Sequence, residues 1–269
     1  MSRSARVLQP GWVAPIEPHS HALAVMAKAP VPGSVKSRLV PPLDPHKAAS
    51  LNRCFLRDIC ASIESLGSHR GAHGVIAYTP VGSESAFDGL LPDSFHLLPQ
   101  RGKDLGERLF HAACDLLNAN YESVCLINSD SPTLPRSILA DAIAHLKMAD
   151  DRIVLGGSDD GGYYLIGLKH AHRRVFEDIN WSTSAVFSQT VDRAAEVGLE
   201  VVSLPQWYDV DDASSLRRLA IELFGDDSAR DGRGGSDAPF TREFLRGLIA
   251  DGLAARLDLA DLLDIKTSG

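Results

Sequence analysis

The chain has 269 residues, enough for one large domain or two small ones with a substantial core. Apolar residues make up 44% and charged residues 23%, and no apolar run approaches the roughly 20 residues of a membrane helix, so a soluble protein without a membrane span is expected. Thirty-five acidic against 27 basic residues give a net charge of −8, which disfavours nucleic-acid binding by general phosphate neutralisation.

In chain order, residues 1–20 carry scattered charges and prolines but no apolar core of a signal peptide, so a short arm and a cytoplasmic location are expected. HALAVMA (21–27) reads as a buried strand that runs into a basic, proline-rich loop. Asp44 and Pro45 can open a helix reaching about Leu66, with Ala48, Leu51, Phe55, Ile59 and Ile63 at helical spacing. VIAYTP (75–80) and FHLLPQ (95–100) are strands, and a helix follows over about 104–118. SVCLIN (123–128) is the most strand-like run and stops abruptly at SDSPTLP. Helix 136–148, strands RIVLGG and YYLIGLK, helix 183–197, strand LEVVSLP and a helix opened by Asp211 or Asp212 complete the series.

Alternating strands and helices mean a three-layer α/β/α sandwich with a mostly parallel sheet. Residues 225–239 form a polar linker, and residues 240–269 form a helical appendage with helices at about 241–250 and 255–264. Cys54, Cys60, Cys114 and Cys125 lack C-x-x-C spacing and sit among apolar neighbours, as reduced core thiols do.

In an open α/β sheet, ligands bind at the carboxyl ends of strands. Three unusual segments fall there. MAKAPVPGSVKSRL (26–39) is not a P-loop, because Val35 precedes Lys36 and Gly33 is its only glycine. Lys28, Lys36 and Arg38 on this stiffened loop suit phosphate oxygens, or else are ordinary surface cations. Asp130 in SDSPTLP stands at a strand mouth, either as a ligand for Mg²⁺ or as a cap for the helix beyond Pro135. GGSDDGGYY reads equally as a hairpin turn and as a place where a ligand meets the backbone. Asp209, Asp211 and Asp212 in DVDDASSL divide between helix capping and a second metal carboxylate. No G-x-S-x-G elbow and no G-x-G-x-x-G after the first strand is present, so hydrolase and dinucleotide readings lose support.

Taken together, MAKAPVPGSVKSRL, QRGKDLGERL, INSDSPTLP, GGSDDGGYYLIGL, INWST and DVDDASSL resemble the rSAM/selenodomain-associated transferase family, also labelled arsenosugar-biosynthesis glycosyltransferase. The resemblance runs from about His21 to Phe224, with FTREFL similar to the family's tail. It implies a GT-A-like (nucleotide-diphospho-sugar transferase) domain over 21–224 and a Mg²⁺- or Mn²⁺-dependent transferase using a nucleotide-activated donor. Carried over, Lys28, Lys36 and Arg38 hold donor phosphates, while Gln100, Gly102 and Gly106 meet the nucleotide. Asp130 and Asp211 hold the metal, with Asp209 in reserve. Asp160, Gly161, Gly162, Tyr163, Trp181 and Thr183 face the sugar or acceptor, and Lys36, Arg38 and Asp160 are the catalytic candidates. Two other readings stay open: a guanylyltransferase-like nucleotidyltransferase that releases pyrophosphate, and a non-catalytic nucleotide-binding scaffold.

Overall fold

The computed structural model of the protein describes residues 6–9, 19–67, 71–225 and 234–259. Among these residues eight strands form one sheet: β1 (Arg6–Val7), β2 (His21–Lys28), β3 (Ala72–Thr79), β4 (His96–Pro99), β5 (Ser123–Asn128), β6 (Arg152–Ser158), β7 (Tyr163–Leu168) and β8 (Glu200–Trp207). Their order across the sheet is β1-β4-β3-β2-β5-β7-β6-β8. All pairings are parallel except those of β7, which runs antiparallel to both β5 and β6.

The central strands are apolar on both faces because both faces are covered. Ala22, Ala24, Val124, Leu126, Ile166 and Leu168 pack in one core with Leu109, Ala112, Ala113 and Leu116 of α2 (Leu105–Asn118) and Ala194 of α4 (Val186–Glu196). Alternation turns Gly167 to the other face, where a Cβ would come 3.0 Å from Leu146 of α3 (Arg136–Leu146). Two helix layers therefore sandwich the sheet, as the sequence predicts.

The register fixes which loops share an end of the sheet. Met26 pairs with both Ala77 and Asn128, so β2, β3 and β5 finish at one end. Ile127 pairs with Leu165 of the reversed β7, so that strand begins, at Tyr163, at the same end.

By compactness the chain divides into two units. The first comprises Met1–Ala29, Cys60–Asn128 and Arg136–Tyr208 and holds every described strand. The second comprises Pro30–Ile59, Ser129–Pro135 and Asp209–Gly269, segments that follow β2, β5 and β8 along the chain. Helix α1 (Pro45–Leu66) contributes its first part to the second unit, which also contains α5 (Ala213–Phe224) and α6 (Pro239–Leu248). There Asp58 accepts the backbone N–H groups of Phe240 (3.0 Å) and Thr241 (2.8 Å), and Arg57 stacks on the Phe240 ring at 3.7 Å.

Local departures from the sequence reading have local causes. Part of the expected arm, Arg6–Val7, pairs in parallel with β4 as an edge strand. Helix α4 begins at Val186 rather than near 183, because Thr183 Oγ1 accepts the Ala185 N–H and donates to the Asn180 carbonyl, which holds a turn. Helix α6 passes into a wide turn over Ile249–Leu253 where Gly252 adopts φ 93°. Most of the expected linker, and the end of the expected last helix, lie outside the described residues. No helix among the described residues is long and apolar enough to cross a membrane.

Cys54, Cys60, Cys114 and Cys125 are free thiols, buried or half-buried. Burial pushes Cys54 up to about 11 and Cys125 up to about 12, so both stay protonated and inert at neutral pH.

Candidate active site

In the second unit, the loop after β2 turns sharply at Lys36, whose backbone is left-handed (φ 50°, ψ 38°) and starts a short turn of 3₁₀ helix at Ser37–Leu39. Val35 and Leu39 on either side are buried and anchor the loop, and the Lys36 side chain is only 4% exposed. Its ammonium donates to the Val210 carbonyl at 2.7 Å and lies 2.7 Å from Asp130 Oδ1 and 3.1 Å from Asp211 Oδ1. It also sits 5.4 Å from the centroid of the Phe55 ring. A left-handed non-glycine residue costs about 1–2 kcal/mol, which these charge-assisted bonds offset.

The carboxylates are fixed as carefully as the lysine. The Val210 N–H donates to the Asp130 carbonyl at 2.9 Å, tying the two acidic segments together. Ser129 Oγ donates to Asp130 Oδ1 at 3.1 Å, and the buried Ser131 donates to Asp209 Oδ1 at 2.8 Å. Arg38, with a side chain 75% exposed, reaches Asp211 Oδ2 at 3.3 Å. The structure therefore brings together Lys36, Arg38, Asp130 and Asp211, with Asp209 bonded to a neighbouring loop residue.

It also separates the three late aspartates by role. Asp212 is the N-cap of α5: its Oδ1 accepts the Ser215 N–H at 2.8 Å, and the Ser215 hydroxyl closes a capping box. That bond to the Ser215 N–H holds the Asp212 carboxyl below the usual carboxylate range. Asp211 is left to face the cations, while its own N–H donates to Ser215 Oγ at 2.9 Å. Ser131, Val210 and Ser215 are supporting residues that the sequence reading missed. Only Ser215 had a signal, the Asp-x-x-Ser spacing of a capping box.

The other expected residues lie in the first unit. Lys28 ends β2 with its side chain exposed. Gln100 Nε2 donates to the Ala77 carbonyl at 2.6 Å, so this side chain braces the strand ends. Gly102 has φ +136°, and Gly106 lies in the first turn of α2, where a Cβ would come 2.6 Å from the Phe176 carbonyl oxygen and 2.9 Å from Trp181 Nε1. Gly106 and Trp181 line one cavity of about 360 Å³ with Asp104, Phe110 and Arg173. The sequence reading gave these two residues to the nucleotide and acceptor sides respectively; the structure puts them against each other.

The β6–β7 connection is a hairpin turn that also presents the residues of interest. Asp160 Oδ1 accepts the Gly162 N–H at 2.9 Å, and Gly161 has φ +88°. Tyr163 packs edge-on against Trp181, with 6.3 Å between ring centroids. Its buried hydroxyl has no hydrogen-bond partner among the described residues, and burial pushes its pKa upward. Thr183 is engaged in the turn before α4.

A mostly parallel sheet with a single reversed strand and flanking helices defines the class: the nucleotide-diphospho-sugar transferase, GT-A-like, fold. A crystal structure from Desulfovibrio desulfuricans G20, provisionally named a nucleotide-diphospho-sugar transferase, matches with a TM-score of 0.70 and 31% identity, over 84% of this chain and 97% of that one. The chain belongs to the same family as that protein. Residues 62–183 match the family model described as "Uncharacterized protein conserved in bacteria (DUF2064)". No curated protein matches the sequence. Lower-scoring matches include a cytidylyltransferase from Leptospira borgpetersenii (12% identity, TM-score 0.46, 77% of this chain and 88% of that one). They include also glucosyl-3-phosphoglycerate synthase from Mycobacterium tuberculosis, solved with Mn²⁺ and UDP (11% identity, TM-score 0.45, 77% and 79%).

Proposed function

We propose that the protein is a metal-dependent transferase using a nucleotide-activated donor, with glycosyl transfer from a nucleotide sugar as the principal reading and the rSAM/selenodomain-associated group as its subfamily. The observation that carries it is the convergence of Asp130 and Asp211 on the single buried ammonium of Lys36. Two carboxylates brought to one point offer oxygen-only donors of the kind that suit a hard cation such as Mg²⁺ or Mn²⁺. Asp130 and Asp211 would hold the ion, with Asp209 in reserve. When bound, the ion supplies Lewis-acid neutralisation of the diphosphate leaving group.

Lys36 is a positioning residue, since its ammonium already has three protein acceptors and sets the spacing of the carboxylates. Arg38, mostly exposed, is the cation that can turn to a donor phosphate. In glycosyl transfer the acceptor oxygen bonds to the sugar's anomeric carbon as the bond from that carbon to the diphosphate breaks, so nucleoside diphosphate leaves. Asp160 is assigned the acceptor proton, and Gly161, Gly162, Tyr163, Trp181 and Thr183 the sugar or acceptor. Gln100, Gly102 and Gly106 are assigned to the nucleotide, and Lys28 to its phosphates.

The Lys-Ser-Arg element of the first loop favours a second reading, attack at the α-phosphorus with release of pyrophosphate. Incubation with Mg²⁺ and a panel of nucleotide sugars and nucleoside triphosphates distinguishes the two. Nucleoside diphosphate released from a sugar donor supports glycosyl transfer; pyrophosphate from a triphosphate supports nucleotidyl transfer. Absence of metal-dependent binding by every donor would leave the scaffold reading.

A further inference from the structure

At the other end of the sheet, where β6 begins and β7 finishes, the antiparallel register brings two strand neighbours together. Ile153 pairs with Leu168, so Asp151 and His170 occupy the opposed positions two residues further out. The chain then bends, with the His172 N–H donating to the His170 carbonyl at 3.0 Å, and His172 returns to the same carboxylate. His172 Nε2 lies 2.7 Å from Asp151 Oδ2, and His170 Nδ1 lies 3.2 Å from Asp151 Oδ1. One ligand atom from each residue falls within 4.8 Å of the other two.

We propose that Asp151, His170 and His172 form a binding site for a transition-metal dication of the zinc class, separate in kind from the carboxylate-only set around Asp130. Two imidazoles and one carboxylate match the preferences of Zn²⁺, Co²⁺ or Fe²⁺ rather than of Mg²⁺. The geometry requires only a modest contraction. Metal–ligand bonds of about 2.0–2.1 Å set tetrahedral ligands roughly 3.4 Å apart. His170 can supply that movement without repacking, because its side chain is 67% exposed.

A simple ion pair accounts for less of this arrangement. An ion pair needs one imidazole, whereas here each oxygen of the carboxylate faces its own, with His172 Nε2 on Oδ2 and His170 Nδ1 3.2 Å from the buried Oδ1. A metal ion uses both rings and the carboxylate together. His170 also lines a cavity of about 580 Å³ with His19, Glu122, Lys147 and Lys169, so water or an anionic ligand can reach the ion's remaining positions. Three protein ligands with open access resemble catalytic or regulatory metal sites more than closed structural ones.

The test titrates the metal-free, full-length protein with Zn²⁺ by calorimetry and with Co²⁺ by visible absorption, beside His170→Ala and Asp130→Asn. The wild type is expected to take one Zn²⁺ and to show Co²⁺ bands of nitrogen ligation. His170→Ala should weaken Zn²⁺ binding at least about ten-fold, and Asp130→Asn should leave it unchanged. Because His170 is mostly exposed, its removal preserves the fold, which circular dichroism checks. Equal binding by His170→Ala and wild type, loss of the site in Asp130→Asn, or no saturable binding by the wild type would each overturn the assignment.

Discussion

Lys36 Nζ lies 2.7 Å from Asp130 Oδ1, a lysine 4% exposed against a carboxylate 31% exposed. The cation is therefore inside and the anions are at the edge. Lys36→Met would leave the Val210 carbonyl without this donor and two carboxylates facing each other without their shared charge. A loss of about 1–3 kcal/mol is expected in urea denaturation, below that of a fully buried pair because water screens both acids. Lys36→Arg should not restore the wild-type value, since a planar guanidinium cannot reproduce three bonds from one nitrogen. A loss within experimental error would make the lysine a bystander.

Asp58 gives a pH signature. Burial raises its pKa above 3.8, against the lowering effect of the Thr241 and Phe240 hydrogen bonds. A raised folded value means the folded state binds the proton more tightly. The resulting stabilisation is complete below 3.8 and is lost as pH rises through the folded value. Asp58→Asn can still accept N–H groups at the start of α6 but cannot titrate. Denaturation midpoints measured from acid to neutral pH should fall more steeply in the wild type than in the variant, and parallel profiles would refute the assignment.

Gly161 tests the hairpin. Its φ of +88° is unfavourable for a side chain, and a Cβ there would come 2.6 Å from the Ser184 Cα. Gly161→Ala is expected to cost about 1–3 kcal/mol, whereas Gly198→Ala, also at positive φ but with open space around it, should cost less. Thermal unfolding of the two variants side by side gives the comparison.

The layers of the fold were legible in the sequence because buried strands and amphipathic helices carry their pattern locally. SVCLIN ends at Asn128 in sequence and structure alike, since Pro132 and the Ser-Asp-Ser run exclude continuation of the strand. The reversal of β7 was not legible. A hairpin turn at Asp159–Gly162 reads the same whether its strands lie at an edge or, as here, with β7 inserted between β5 and β6. At the site, residue identities could be read but not partners. The burial of Lys36 could not be read, because a loop lysine gives no sign of it and its contacts lie 94 to 175 positions along the chain at Asp130, Val210 and Asp211. His170 and His172 read by default as surface or core histidines, since no metal-ligand spacing marks them and their third member, Asp151, is supplied by strand register alone.

The three late aspartates offer the sharpest separation of capping from ligand binding. Asp212 receives the Ser215 N–H, which lowers its pKa below 3.8, so its stabilisation is present above that value and is lost as pH falls through the depressed one. Asp212→Ala should cost about 0.5–2 kcal/mol, as N-cap removals do, and should leave metal-dependent donor binding intact. Asp211→Asn should reverse the pattern: the helix keeps its cap, any loss of stability stays below that of Lys36→Met because the amide still accepts and Asp130 and the Val210 carbonyl still hold the lysine, and donor binding in Mg²⁺ is lost. Asp130→Asn should behave like Asp211→Asn. Calorimetry with Mg²⁺ and a nucleotide sugar, paired with urea denaturation, reads both properties in each variant. If Asp211→Asn bound the donor like wild type while Asp212→Ala did not, the roles of these neighbours would have to be exchanged.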